Sequence, residues 1–306
     1  MTYSNFTLTD HIGLAIVVHK WIPDSGSPKA MIYVGHGMAE HALRYAFFAE
    51  ALNNAGYVVY ADDHRGHGKT MEEGKAGVLY KDGWIGVVKD IKHVTDQMKK
   101  DYPNLPLFLF GHSWGSFLIQ EYMQLFPNEV NGIILSGTAG HQDMLGILII
   151  IGKIVTKLKG KESEAGLIYK LGIEPLNKPY IAEGSPNAWI SSIKEEVAKY
   201  DADPLCGFKP TNGYFMEMGL AFKRIWNKNA ESRINVDTPV LIINGSDDMV
   251  SQRCKNLYPL INRYQELGIK DLSYKIYEDA RHEVLNDKCR NKAVTDCISW
   301  LDSHMN

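Results

Sequence analysis

The stretch Pro106-Leu-Phe-Leu-Phe-Gly-His-Ser-Trp-Gly115 constrains this chain more than any other. An apolar run with the length of a buried strand ends in Gly111-His-Ser-Trp-Gly115, and a helix-like stretch follows. Strand, sharp turn and helix form the setting in which a G-x-S-x-G motif serves as a nucleophile elbow. The spacing has a steric reason. Ser113 must sit on a strained turn for its hydroxyl to project above a sheet. Glycines two residues to either side remove Cβ atoms that would strike neighbouring backbone. Taken alone, the motif also fits a serine in an ordinary Gly-rich turn. The strand before it and two partner residues downstream favour the nucleophile.

In 306 residues, 45% apolar and 23% charged describe a globular chain with a full core. The length admits one large α/β domain or two smaller ones. A net charge of −3 argues against a nucleic-acid partner, which would call for a basic stripe. Cys206, Cys254, Cys289 and Cys297 contain no C-x-x-C pair, so no disulfide framework is implied, and free thiols suit a reducing compartment. Met1-Thr-Tyr-Ser-Asn-Phe-Thr7 lacks the basic and apolar regions of a signal peptide, which makes a cytoplasmic location the expectation. The segment from Met144 to Val155 is strongly apolar but interrupted by Lys153 and too short to span a bilayer. It reads either as a helix buried between two parts of the protein or as a partly exposed helix that touches lipid or micelles. The basic run Lys157, Lys159, Lys161 that follows suits an anionic interface.

Along the chain, Phe6 to Thr9 and Leu14 to Trp21 read as a hairpin, followed by buried strands over Met31–Gly35 and Tyr57–Ala61. Apolar residues at 84, 85, 87, 88, 91 and 94 predict a helix over 84–102. The elbow strand and its helix come next, then a strand over Val130–Leu135. From about His141 to Ile234 no convincing strand occurs. Alternation resumes with a strand over Pro239–Gly245, a helix to about Leu267, a strand over Leu272–Tyr277 and a helix over Ala293–Ser303. This pattern predicts an α/β fold: a mostly parallel, eight-stranded sheet flanked by helices. Residues 1–140 and 235–306 would form the core. Residues 141–234, inserted after the sixth strand, would form a helical cap.

A nucleophile on such an elbow takes its acid and its histidine from later in the chain, in that order, each at the carboxyl end of a strand. Only His141, His282 and His304 follow Ser113. His141 precedes the resumed sheet and His304 lies in the last three residues, which leaves His282 as the base. The preceding strand ends in Asn244-Gly-Ser-Asp-Asp-Met249, where Asp247 and Asp248 both qualify as the acid. Asp248 is preferred because Gly-x-x-Asp lets the chain turn before presenting its carboxylate. Two backbone N–H groups should receive the developing oxyanion, those of Trp114 and Met38. His36 reads as a packing residue under that loop. His36, His41, His64 and His67 raise a metal reading, but no H-E-x-x-H accompanies them, and neither metal nor cofactor is expected.

His36-Gly-Met-Ala-Glu-His-Ala-Leu-Arg-Tyr45, Asp63-His-Arg-Gly-His-Gly68, the elbow, Asp203-Pro-Leu-Cys-Gly-Phe208 and the Gly245–Asp248 turn occur in this order. Together they resemble the monoacylglycerol lipase and lysophospholipase group of serine hydrolases, with an α/β-hydrolase fold, over most of the chain from Val18 to Trp300. The resemblance places the family's acid and oxyanion positions at Asp248 and Met38. Its glycerol-side Glu and Arg fall at Glu40 and Arg44, which equally fit an i,i+4 ion pair. Met38 and Trp114 are bulkier than the family pattern and would narrow the pocket.

These readings predict an ester hydrolase working through an acyl-serine on an ester or lipid with an apolar acyl chain. Phe215, Met216, Met218 and Leu220, with the apolar 144–155 helix, line an acyl tunnel in this reading or are plain core in the blander one. A serine aminopeptidase is the alternative, with Glu195, Glu196 and Asp201 holding the substrate ammonium. A small-ligand-binding protein on the same fold is a third, which an intact Ser113, Asp248 and His282 argue against.

Overall fold

A computed structural model describes residues 1–141 and 145–305. Met144, the first residue of the apolar segment, lies outside them. Strand β1 (Thr2–Thr9) pairs antiparallel with β2 (Ala15–Ile22), and the Asp10 carboxylate closes their turn by accepting the Ile12 and Leu14 N–H groups at 2.8 Å each. Six further strands complete one sheet: β3 (Ala30–Gly35), β4 (Tyr57–Asp62), β5 (Leu107–His112), β6 (Gly132–Ser136), β7 (Val240–Gly245) and β8 (Leu272–Tyr277). The order is β1-β2-β4-β3-β5-β6-β7-β8, parallel from β4 onward, with β2 antiparallel to β4.

Helices α1 (Ala46–Asn54), α2 (Gly83–Asp101) and α3 (Trp114–Leu125) belong to the first half of the sheet. Among the described residues five more lie between β6 and β7: α4 (Leu145–Lys159), α5 (Gly166–Gly172), α6 (Lys194–Ala202), α7 (Asn212–Ile225) and the short α8 (Lys228–Glu231). The chain ends with α9 (Leu257–Glu266) and α10 (Arg290–Ser303). The strands β3 to β7 are buried along their whole lengths, as parallel strands covered on both faces must be. Successive residues serve opposite faces. Leu107, Leu109, Ile133 and Ile242 join the layer of α2, α3 and α9, while Phe108, Phe110, Ile134 and Leu241 join that of α1 and α10.

The inserted helices pack on one another and on the sheet's helices. Phe222 of α7 meets Phe117 of α3 edge-on at 4.7 Å, and Arg224 grips the buried Glu121 through two hydrogen bonds of 2.6 and 2.9 Å. Gly219 lets α4 approach closely, because a Cβ there would lie 3.0 Å from Ile149. A separate apolar cluster of Tyr180, Trp189, Ile190, Val197 and Tyr200 sits toward the ends of β7 and β8. On α4 one face is buried and the other is exposed. Leu145, Ile149 and Val155 are buried, while Ile147, Ile150, Ile154 and Leu158 are exposed by 52, 60, 55 and 78%.

Candidate active site

Strand β5 delivers the backbone straight into a turn at Ser113, whose φ of +50° and ψ of −118° are costly for a residue with a Cβ. The surroundings hold it there. Ser113 N–H donates to the Ser136 carbonyl at 2.8 Å, and its own carbonyl accepts the Ser116 N–H and hydroxyl at 2.9 and 2.6 Å. A Cβ at Gly115 would lie 2.4 Å from the Gly35 carbonyl, and one at Gly111 would lie 2.7 Å from the Gly115 carbonyl. Only glycine permits helix α3 to start this close to β3.

The loops after β7 and β8 are pressed together at Gly245, where a Cβ would lie 2.2 Å from two carbonyl oxygens. That contact sets Asp248 beside His282, with Nδ1 3.0 Å from Oδ1. Asp248 is fully buried and accepts two further hydrogen bonds, from the Val250 N–H at 2.8 Å and the Asn244 amide at 3.1 Å. Asp247 instead faces Arg253 at 3.4 Å near solvent. Burial opposes a charged imidazole at His282, but the Asp248 carboxylate, with Glu283 and Glu40 behind it, more than compensates, so its pKa lies above the ordinary histidine value. Neighbouring His112 is pushed down to about 3 by burial and by His282. The other downstream histidines are elsewhere: His141 packs near Trp226, and His304 bonds Asp271 at 2.9 Å.

Ser113 and His282 line a common cleft, together with Met38 and Glu40 below and Tyr169, Ile173, Trp189 and Tyr200 from the inserted helices. Glu40 takes the Gly37 N–H at 2.5 Å. The next N–H, that of Met38, and the Trp114 N–H at the start of α3 have no acceptor among the described residues. Ala39 adopts a left-handed φ of +54°, and its carbonyl accepts hydrogen bonds from the Tyr200 hydroxyl and the Gly207 N–H, both at 2.9 Å. His36 lies beneath, its Nε2 accepting the His64 N–H at 3.0 Å, and burial pushes its pKa well down.

Glu40 and Arg44 do form the i,i+4 pair, at 2.5 Å, but in a buried setting. Arg44 also clasps Glu283 through two bonds of 2.7 Å. Of these three, Glu40 and Glu283 reach the cleft, while Arg44 stands behind and joins them. Glu283 was not singled out from sequence; its position directly after His282 was the available signal.

Residues 26–289 match the serine aminopeptidase S33 family. A monoacylglycerol lipase of Mycolicibacterium smegmatis is 29% identical over 297 residues, covering 96% of this chain and 95% of the relative. The monoglyceride lipase of Mus musculus is 30% identical, with 92 and 84% of the two chains covered. A thermostable carboxyl esterase from Bacillus coagulans, solved in complex with glycerol, superposes with a TM-score of 0.92 at 28% identity over the full length of both chains. The chain belongs to the monoacylglycerol lipase-like α/β-hydrolases.

This α/β-hydrolase is thus a serine hydrolase of carboxylic esters. Two expectations about its pocket need correction. Trp114 does not narrow the cleft: its ring is buried among Trp84, His67 and Tyr214, with centroids 4.9 to 5.8 Å away, and only Met38 of the two bulky residues lines the opening. Phe215 and Met216 do not line the cleft either; Phe215 packs edge-on behind Tyr169, which occupies that wall. The carboxylates considered for an aminopeptidase are outside the cleft as well. Glu195 is exposed, Glu196 pairs with Lys199 at 2.9 Å, and Asp201 accepts from Ser185 and Asn187.

Proposed function

We propose that this hydrolase cleaves monoacylglycerols, with Ser113 as nucleophile, His282 as general base and Asp248 as the acid that orients it. The 3.0 Å Asp248–His282 bond, at a cleft that also holds Ser113 on its strained elbow, carries the reading. His282 Nε2 takes the Ser113 proton as Oγ attacks the ester carbonyl. The Met38 and Trp114 N–H groups then receive the oxyanion. Collapse expels the alcohol, which takes the proton back from His282, and water repeats the sequence on the acyl-serine. Asp248 holds the imidazole tautomer and stabilises the imidazolium as it forms.

Glu40, fixed by Arg44 and the Tyr45 hydroxyl, presents a carboxylate to the cleft and suits hydroxyl groups of a glycerol leaving group. Tyr169, Ile173, Trp189 and Ile190 offer an apolar wall to the acyl chain. Residues 141–234 act in this reading as a helical cap over a core of 1–140 and 235–306. The exposed isoleucines of α4, flanked by Lys153 and Lys157, serve as a peripheral contact with a lipid surface. No described helix is long and apolar enough to cross a membrane, and a cytoplasmic enzyme touching membranes reversibly is the matching proposal.

The deciding measurement compares kcat/KM for a long-chain monoacylglycerol and a short aryl ester, with Ser113→Ala as the blank. The monoacylglycerol should prevail, and Ser113→Ala should fall by at least about 10⁴-fold. Turnover of the short ester alone would make this a general carboxylesterase. Activity persisting in Ser113→Ala would sink the site assignment.

A further inference from the structure

A second set of chemically capable side chains sits at the seam between the core and the inserted helices. His41 Nε2, an Asp203 carboxylate oxygen and Cys206 Sγ lie within 4.8 Å of one another. His41 belongs to the loop after β3, whereas Asp203 and Cys206 follow α6. A turn presents the latter two together: Asp203 Oδ1 accepts the Leu205 N–H at 2.9 Å, and its carbonyl accepts the Cys206 N–H at 3.0 Å. Across the seam, Gly207 and Tyr200 are tied to Ala39. None of the three side chains lines the ester cleft.

The donors are one nitrogen, one sulfur and one oxygen, a combination that suits zinc and related borderline ions, with a fourth position left for water. His41 Nε2 and Asp203 Oδ2 now share a proton at 2.9 Å. Zinc bonds of about 2.0–2.3 Å at tetrahedral angles need donors about 3.5 Å apart, so small side-chain rotations suffice. The Asp203 side chain is 32% exposed, which opens a path from water. With a neutral imidazole, a carboxylate and a thiolate sum to −2, matching a divalent ion.

We propose that His41, Asp203 and Cys206 bind a zinc-class divalent cation that clips the inserted helices to the loop carrying Met38. Binding displaces the thiol proton to water, and the imidazole proton that now faces Asp203 from Nε2 passes through water to Nδ1, which frees Nε2 for the cation. Burial holds Cys206 as a thiol in the metal-free protein, with Arg44 opposing and Glu40, Asp203 and Glu283 reinforcing that bias. A coordinated cation supplies the local charge that reverses it.

Titration of the reduced full-length protein with Co²⁺ tests the site without recourse to ester turnover. A near-ultraviolet thiolate-to-cobalt charge-transfer band should saturate at one equivalent and vanish on adding Zn²⁺. Cys206→Ser should abolish the band while hydrolysing a short ester at the wild-type rate, and Asp203→Asn should weaken binding at least about tenfold. In the wild-type protein, one equivalent of Zn²⁺ should slow alkylation of Cys206 at least about tenfold, read by mass spectrometry, and leave Cys289 unchanged. A wild-type protein without the band, a band that survives Cys206→Ser, or Cys206 alkylation indifferent to Zn²⁺ would each overturn the proposal.

Discussion

At the scale of single residues, the charge around His282 sets the working pH. A base must be neutral to accept the serine proton, so its raised pKa moves the acidic limb of kcat/KM above the free-histidine value of about 6.5. Glu283 is among the groups that raise it, and Glu283 also neutralises Arg44. Glu283→Gln should therefore shift that limb to lower pH, because one anion is lost and the Arg44 charge is less compensated. A pH–rate profile with a soluble ester reads this, and an unmoved or raised limb would contradict it. The stability linkage runs the other way. A histidine pKa raised by folding stabilises fully below about 6.5, and that contribution is lost as pH rises through the folded-state value. His282 thus favours the fold where it cannot act, and acts where it no longer favours the fold. Ser113 and His282 were legible as candidates because motif and chain order leave few alternatives. The preference for Asp248 over Asp247 rested on a turn argument, and the structure gives Asp248 the bond to His282. Glu283 is marked in the sequence only by its place directly after His282, and its pairing with Arg44 is hidden because the two are 239 positions apart.

At the scale of elements, α4 shows what periodicity can and cannot say. Its apolar residues occupy both faces, so no polar stripe marks the outside, and the sequence left burial and exposure open. Packing decides it: α7 and α5 lie against α4, whose Leu145, Ile149 and Val155 are buried, while Ile147, Ile150, Ile154 and Leu158 face outward. The double variant Ile150→Asp, Ile154→Asp should cut co-sedimentation with anionic phospholipid vesicles at least about tenfold, with short-ester turnover unchanged. Equal vesicle binding would remove α4 from the contact. The strands were read closely; β8 spans 272–277 as expected. The outer strand was not, because Thr2 to Asn5 is an exposed edge without apolar alternation. Helix α1 is not among the elements the sequence predicts, and the 3₁₀ run of residues 174–183, which contains Pro175 and Pro179, has no periodic signature to find.

At the scale of the molecule, one buried cation joins three distant segments. Arg65 is fully buried and bonds Asp10 in the β1–β2 turn at 2.7 Å and Asp90 of α2 at 2.5 and 3.0 Å. Arg65→Met should lower stability by about 3–5 kcal/mol in urea denaturation, because it strands two buried carboxylates. A loss under about 1 kcal/mol would mean that the carboxylates escape by protonation or hydration. Such a network cannot be read from a linear sequence, which shows an acid, a base and an acid with no hint that they meet.

The Ala39 carbonyl ties the loop after β3 to the inserted segment in another way. Ala39 holds a left-handed backbone that a side-chain-bearing residue keeps only under outside constraint, and its two donors, Tyr200 and Gly207, both come from the inserted segment. Swinging that segment outward would release the strained residue directly beside the Met38 N–H. Opening and disarming would then be a single motion, so an enzyme gaping toward solvent would expose its serine only while it is switched off.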